Sequence, residues 1–434
     1  MDYLVEDIIK KVSTKVDYSE VYMNQSKSTE ITLLNDKVNY AKEENITGLG
    51  LRVIKNQQQG FAYTTNITKI DEMIEQAIKN SKLNNHDEYT SIIEKPEKYN
   101  KVKQLYDKNL EEIDLKQAIQ SCEEMSKMVS QKDCEVTSGE YGVTVDKTII
   151  VNSNGVNVSE SQTGCVASLS VNTEDVDGNS SAYSYEISHN KDLDFEKIVE
   201  ESTTLALKST NGKPTHTRDT KVVLDYFAAV SLLNTFMSAL SSENTQRKRS
   251  YFQDKLGQQV SNESFSLYDD GTIPGANRSS TFDDEGTPTQ KTELIKDGVL
   301  KNFIYDTYHA NKEEKETTAN AVRASFSSVP KVGFSNLKLE FSNVTPIEDI
   351  QEGVIVNNVM GAHTANPITG DFSVEARNAF EVENGTITTP IKKAMISGNI
   401  FKIMEEATAA TKETRQIGSL ITPKMLVNSL RVIA

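Results

Sequence analysis

The chain has no tryptophan, only 3 cysteines and 5 histidines among 434 residues, and 47 lysines and arginines against 63 aspartates and glutamates. Each shortage closes off a class of function. A formal net charge of −16 repels a phosphate backbone unless the cations gather on one face. The one tight basic run, Arg247-Lys248-Arg249, reads as a solvated turn after a helix, so no nucleic-acid partner is expected. Cys122, Cys134 and Cys165 are odd in number and lack the short paired spacings of zinc or redox sites, so reduced, buried thiols are expected.

Long apolar runs are also missing. The start, Met1 to Asp7, is acidic and leads into an amphipathic helix, without the basic and apolar segments of a secretory signal. The long uncharged stretch from Tyr226 to Ser242 contains Ser231, Asn234, Thr235 and Ser238, and it falls short of the ~20 mostly apolar residues of a membrane span. The expectation is a cytoplasmic protein with no membrane partner, in which 226–241 is a core helix. There is no Gly-x-Ser-x-Gly elbow, no Gly-x-Gly-x-x-Gly after a strand and no phosphate loop ending in Gly-Lys-Ser or Gly-Lys-Thr.

What is present is an α+β order. Leu4, Ile8, Ile9 and Val12 fall at helical spacing, and Ser19–Met23, Glu30–Leu34, Val38–Glu43 and Thr47–Ile54 alternate as strands. A helix over about 69–82 follows, with Thr68 as its expected cap. The same order returns: a helix at Asp114–Ser130, strands from Glu135, and a helix over Phe195–Lys208. Val156-Asn157 and Thr163-Gly164 repeat Val38-Asn39 and Thr47-Gly48. Internal duplication accounts for this, as would two unrelated α+β halves with similar turn chemistry. Helices packed on an antiparallel sheet are expected in either case. The expected domains are 1–210, with subparts about 1–83 and 113–210 joined by a polar surface connection at 84–112, and 220–434. The second is β-rich and strongly curved or barrel-like. Its expected strands include Phe265–Tyr268, Thr289–Lys296, Val299–Asp306, Leu337–Phe341, Gly353–Asn358, Phe372–Glu383 and Thr386–Ile396, with hairpin turns at Asp297-Gly298 and Asn384-Gly385.

Candidate chemistry is sparse. His86, His189 and His216 read as exposed spectators. His309, His363 and Asp371 are a metal set only if folding brings them together, since no two sit at the usual short ligand spacing. The acidic turn Asp283-Asp284-Glu285 lacks the alternate-residue spacing of a calcium loop and is expected to be solvated.

The most specific stretch runs from Arg247 to Ala310, with SSTFDDEGTPTQKTELIKDGVLKNFIYDTYHA at its centre. With Leu256-Gly257, Thr369-Gly370-Asp371-Phe372-Ser373, Val382-Glu383-Asn384-Gly385, Ser397-Gly398-Asn399 and Gly418-Ser419, it resembles the TldD/PmbA family, also called modulator of DNA gyrase. The resemblance spans nearly the whole chain. It implies metal-dependent proteolysis, in which a catalytic TldD-type subunit carries His-Glu-x-x-x-His on the helix before this stretch and a cysteine ligand near the carboxy terminus. The matching positions here hold Leu233, Asn234 and Ser238, with Ile417 at the terminal position. Those substitutions resemble the PmbA (TldE) branch, a partner subunit without the metal motif. The family therefore implies no catalytic or metal residue and no cofactor in this chain. It implies zinc in a TldD-type partner and a heterodimer acting on unfolded or short peptides, with a homodimer left open for the chain in isolation. Two other readings stay open: a peptide- or protein-binding regulatory homodimer, and an autonomous metallohydrolase built on His309, His363 and Asp371. His363, Ala365 and the Ala376-Arg377-Asn378-Ala379 run depart from the family pattern, and the substrate groove is not assigned.

Overall fold

The first half consists of α1 (Asp2–Ser13), β1 (Tyr18–Leu34), β2 (Lys37–Lys55), β3 (Gln58–Thr64) and α2 (Ile70–Ser81), followed by α3 (Lys108–Glu111), α4 (Leu115–Val129), β4 (Glu135–Asn152), β5 (Asn157–Asp175), β6 (Gly178–Ser188) and α5 (Phe195–Lys208). These elements come from a computed structural model that describes residues 2–176 and 178–434. The strands form one antiparallel sheet ordered β3-β2-β1-β4-β5-β6. Two helix, three-strand, helix units therefore meet back to back at the β1–β4 pair.

Side-chain alternation decides what each face does. Val21, Met23, Ile31 and Leu33 of β1 turn toward the helices, in two separate cores. One gathers Val5, Ile8, Met73 and Ile74 from α1 and α2, and the other gathers Ala118, Cys122 and Ile198 from α4 and α5. Residues of opposite parity, Tyr22, Asn24 and Ser26, look away from the helices.

Several sequence expectations need correction. Ser19–Met23 and Glu30–Leu34 are one strand of 17 residues, because β2 and β4 bond it on both sides and its polar middle does not interrupt pairing. Val38–Glu43 and Thr47–Ile54 likewise merge into β2. Thr68 is not the cap: Asn66 Oδ1 accepts from the Thr68 N–H at 2.9 Å and starts a 3-10 turn ahead of α2. The segment 84–112 is no loose surface connection. Ile92, Leu105 and Leu110 are buried, the Tyr99 hydroxyl donates to the Gly286 carbonyl at 2.7 Å, and the Gly275 N–H donates to the Lys103 carbonyl. Ile93 and Tyr99 pack with Phe282 of the next domain and Leu110 joins the core under α4, and such isolated apolar residues leave no periodicity to mark them.

That domain opens with β7 (Arg218–Leu224), α6 (Tyr226–Ser238) and α7 (Ser242–Gln246). It continues through β8 (Phe265–Asp270), β9 (Lys291–Lys296), β10 (Val299–Leu300), α8 (Thr307–Asn311), β11 (Ala321–Val322), β12 (Lys331–Val332), β13 (Leu337–Phe341) and β14 (Glu352–Met360). β15 (Asp371–Glu383), β16 (Thr386–Ile391), β17 (Ala394–Asn399), α9 (Ile400–Glu406), β18 (Thr408–Ala409), β19 (Arg415–Ile417), β20 (Leu420–Thr422) and β21 (Met425–Ile433) complete it. β14, β7, β21, β17 and β15 pair in that order, and β15 pairs back onto β14. The expected curved sheet is thus a closed five-strand barrel, which leaves few free edges. A second sheet, β10-β9-β8-β13-β20-β19, stands beside it.

The hairpin turns fall where their residues tolerate positive φ: 48° at Asp297 and 77° at Gly298, 49° at Asn384 and 76° at Gly385. The expected strand Val299–Asp306 stops at Leu300, and Asp306 instead caps α8 through its bond to the His309 N–H. The expected Thr386–Ile396 strand breaks at Lys393, whose φ is 58°, and its parts pair with different stretches of β15. All three cysteines are free and buried. Burial pushes the Cys122 and Cys165 thiols up to about 12. No helix among the described residues is long and apolar enough to cross a membrane.

Candidate functional site

α6 is the centre of the largest core. Asp225 caps it, accepting from the Tyr226 N–H at 2.7 Å, and Lys424 Nζ holds the other carboxylate oxygen at 2.7 Å. Ala228, Ala229, Leu232, Leu233, Phe236 and Met237 are buried, with Phe236 packed among Phe252, Phe265 and Phe401. Phe227, Val230, Ser231, Asn234 and Ser238 form the accessible stripe.

The positions to which the resemblance assigns metal chemistry divide between these two faces. Leu233 is 2% exposed and belongs to the core. Asn234 is exposed, and the Ser238 hydroxyl donates back to the Thr235 carbonyl at 2.8 Å. Ile417 is buried on β19. An alkyl chain in the core, an amide, a hydroxyl bonded to its own helix and a second alkyl chain do not make a zinc donor set.

The signature stretch departs from expectation in the opposite direction. Asp283 and Glu285 are buried, not solvated, because the acidic turn is the joint between the two halves. Arg52 of β2 binds Glu20 at 2.8 Å and Glu285 at 3.0 Å. Arg323 binds Glu20 from the other side, and its backbone N–H donates to Asp284 Oδ2 at 2.6 Å. Glu285 also accepts from the Thr307 N–H, while Asp283 accepts from the N–H groups of Glu285, Thr287 and Ala321. Burial raises the Asp283 pKa well above the usual carboxylate range, helped by the neighbouring Glu285. Burial raises Glu285 as well, against the pull of Arg52. Composition and periodicity marked none of Glu20, Arg52 and Arg323: the first two sit in ordinary strands, Arg323 lies just past the two-residue β11, and Glu20 and Arg323 are 303 residues apart.

The histidines separate. His189 is buried, contrary to expectation, with Nδ1 2.6 Å from the Thr163 carbonyl oxygen and Nε2 3.2 Å from that of Ala276. It links the sheet to the following domain. His86 and His216 are exposed. His309 Nδ1 meets Asp306 at 2.7 Å and borders a cavity that also touches Arg247 and Glu243. His363 is exposed in a 3-10 turn, and Asp371 is held by Thr369 and Asn399 at 2.8 Å each. Among the described residues, no group of three or more His, Cys, Asp or Glu side chains is placed to hold a metal ion.

A cleft of about 620 Å³ opens at the amino-terminal end of α6. Tyr183, Tyr185 and Phe227 pack together there, with ring centroids 5.5–6.0 Å apart. The Arg415 guanidinium lies 5.4 Å above the Phe227 ring and binds Glu201 at 2.8 Å. Arg415 with Glu201 and Lys424 with Asp225 are paired at this mouth, and Tyr183, Tyr226, Phe227, Ile355, Phe380 and Ile387 supply apolar wall among polar residues, which suits an aromatic or aliphatic group.

A helix-covered sheet locked by buried ion pairs onto the carboxy-terminal half, where α6 packs in the core beside a closed barrel, defines the class as an α+β protein. Residues 19–81, 108–210 and 217–434 match, in turn, domain 1, the central domain and the C-terminal domain of the PmbA/TldA metallopeptidases. An uncharacterized protein of Methanocaldococcus jannaschii is 36% identical over 424 residues, covering 97% of this chain and 98% of its own length. A metalloprotease of the same organism is 28% identical over 421 residues, covering 93% and 92%. The crystal structure of TldE from Thermococcus kodakarensis is similar with a TM-score of 0.93 at 26% identity, covering 99% of this chain and 100% of that one. The chain belongs to the PmbA/TldD metallopeptidase family.

Proposed function

We propose that this chain is a non-catalytic, PmbA/TldE-type subunit of a heteromeric zinc metalloprotease. In this reading it pairs with a TldD-type subunit and completes the cavity around that partner's zinc, and the pair degrades or processes unfolded or short peptides. The observation that carries it is the side-chain set at the motif positions: Leu233 in the core, Asn234 and Ser238 on the accessible stripe, and Ile417 buried. The likeness to TldE supports the branch. The aromatic cleft beside α6 is where this subunit would face an apolar side chain of the peptide, the adjacent strand edges offering backbone hydrogen bonds that do not read sequence.

The test is to purify the chain alone, and together with a sibling from the same genome that carries His-Glu-x-x-x-His. Zinc content and cleavage of an unfolded peptide are then measured for each. Zinc and activity confined to the pair support the proposal. Stoichiometric zinc with activity in the isolated chain overturns it.

A further inference from the structure

A second cavity, of about 550 Å³, lies on the helix-free face of the first sheet beneath the C-terminal domain, within the ~300–1,000 Å³ of small-ligand sites. No residue of α6 or of 415–424 lines it. Strand register sets its floor. Ser26 on β1 pairs with Asp146 on β4, which pairs with Gln162 on β5. One row along, Asn24, Thr148 and Glu160 align across the same strands. Residues two apart share a face, so the floor is a polar grid.

The charges around this cavity are unequally matched. Glu160 accepts from the Thr281 N–H and hydroxyl and from the Gln162 amide. Asp284 has the Arg323 N–H, and the Arg323 guanidinium is already bound to Glu20. Asp146 has only the side chains of Ser26 and Asn24 against it, and burial raises its pKa. No cation pairs with it among the described residues. On the roof the position is reversed. The Arg278 N–H donates to Asn336 Oδ1 at 3.0 Å, and Arg278, an exposed residue of the cavity wall, has no acid partner among the described residues. The segments that carry the two residues are close. Gln162 Nε2 donates to the carbonyl of Ser279, the residue after Arg278, at 3.2 Å, and Gln162 lies one cross-strand step, about 5 Å, from Asp146.

We propose that this cavity binds a small zwitterion, its ammonium group on Asp146 and its carboxylate on Arg278, with the amides and hydroxyls of the floor between them. Ammonium plus carboxylate is the chemistry of a free amino acid and of a short unblocked peptide. The ligand's ammonium would supply the counter-ion that Asp146 lacks and its carboxylate would replace water at the exposed Arg278, and such charge-assisted bonds are the strong ones. The site lies away from α6 and needs no metal or second subunit, so it does not depend on the function proposed above.

Calorimetric titration of the isolated full-length chain tests it, using glycine, triglycine, N-acetyl-triglycine and triglycine amide as probes. One molecule of glycine or triglycine is expected to bind per chain, and the tighter of the two identifies amino acid or peptide as the source. Blocking either end of triglycine should weaken binding roughly tenfold or more. Asp146→Asn should abolish the discrimination against the acetylated probe, and Arg278→Gln that against the amide. Both variants must melt as the unaltered chain does, and Asp146→Ser serves if the asparagine variant does not fold. Absence of saturable binding by glycine and triglycine overturns the proposal. So does binding that ignores both end-blocks, or that both substitutions leave unchanged.

Discussion

Arg52 and Glu285 stand 233 positions apart in the sequence and meet at 3.0 Å, with side chains only 5% and 2% exposed. Their ion pair ties the first sheet to the second domain, and the same guanidinium holds Glu20 at 2.8 Å. Arg52→Ala would therefore leave Glu285 buried without a cation among the described residues, and Glu20 with Arg323 alone. Breaking a buried pair from one side costs about 3–5 kcal/mol. The exposed pair Lys11–Asp71, also at 3.0 Å, is the control: Lys11→Ala should cost less than ~1 kcal/mol. Urea denaturation of the two variants measures the contrast, and equal costs would show that the joint does not depend on this cluster.

Asp269 sets a pH dependence. It is buried on β8, accepts from the Ser335 N–H at 3.0 Å and from the Asn320 amide, and burial pushes its pKa up to about 6. A carboxyl raised in the folded state binds more protons there than in the unfolded chain. Its contribution to stability is therefore complete below the ordinary pKa near 4 and is lost as pH rises toward 6. The displacement corresponds to roughly 3 kcal/mol. Asp269→Asn should flatten this part of the stability profile between about pH 4 and 6. The amide turned against the Ser335 N–H adds an offset independent of pH. Asp283 and Glu285 are raised in the same direction, so some downward slope should persist in the variant. An unchanged slope would show that Asp269 titrates normally.

A notch in the sheet receives Phe326. A Cβ built at Gly48 falls within the Phe326 ring, and one built at Gly50 falls on the Phe326 carbonyl oxygen. Gly48→Ala and Gly50→Ala should each cost about 1–3 kcal/mol through overpacking. Phe326→Ala removes the ring and leaves the carbonyl. It should rescue Gly48→Ala and not Gly50→Ala, and thermal melts of the double variants read the difference as a coupling energy. Equal rescue of both would mean that the 324–330 loop moves away as a unit.

Legibility in the sequence followed the range of the forces involved. Elements governed by neighbours one to four residues away were readable: the stripe of α4, the alternation of β1, and the turns at Asp297-Gly298 and Asn384-Gly385. The carboxy-terminal domain was readable as strongly curved or barrel-like, but its strand order was not. The barrel's closure depends on β7 lying between β14 and β21, pairings more than a hundred residues apart in sequence. The acidic turn was the clearest failure. Asp283-Asp284-Glu285 looks solvated until Arg52 and Arg323 arrive from elsewhere in the chain, and a single sequence offers no local sign that they do. His189 was missed for the same reason, since its partners are the Thr163 and Ala276 carbonyls. At the candidate site, the resemblance alone assigned the positions Leu233, Asn234, Ser238 and Ile417. Their division between core and accessible stripe was not legible.

That division makes the last prediction. If positions 233, 234 and 238 only preserve the helix, Leu233→Ala should behave as an ordinary core truncation. It should cost about 2–5 kcal/mol, set by how far Phe236 and its neighbours collapse into the space. Asn234→Ala and Ser238→Ala face solvent or bond only within the helix, so each should stay within ~0.5 kcal/mol of the unaltered chain. In the proposed pair, the two accessible substitutions should also leave the zinc content of the assembly unchanged, because the metal would belong to the partner. A loss of zinc on Asn234→Ala or Ser238→Ala, at unchanged stability, would show that the accessible stripe of α6 supports the metal after all. Urea denaturation combined with metal analysis separates these outcomes: a packing defect lowers stability first, and a support role lowers zinc alone.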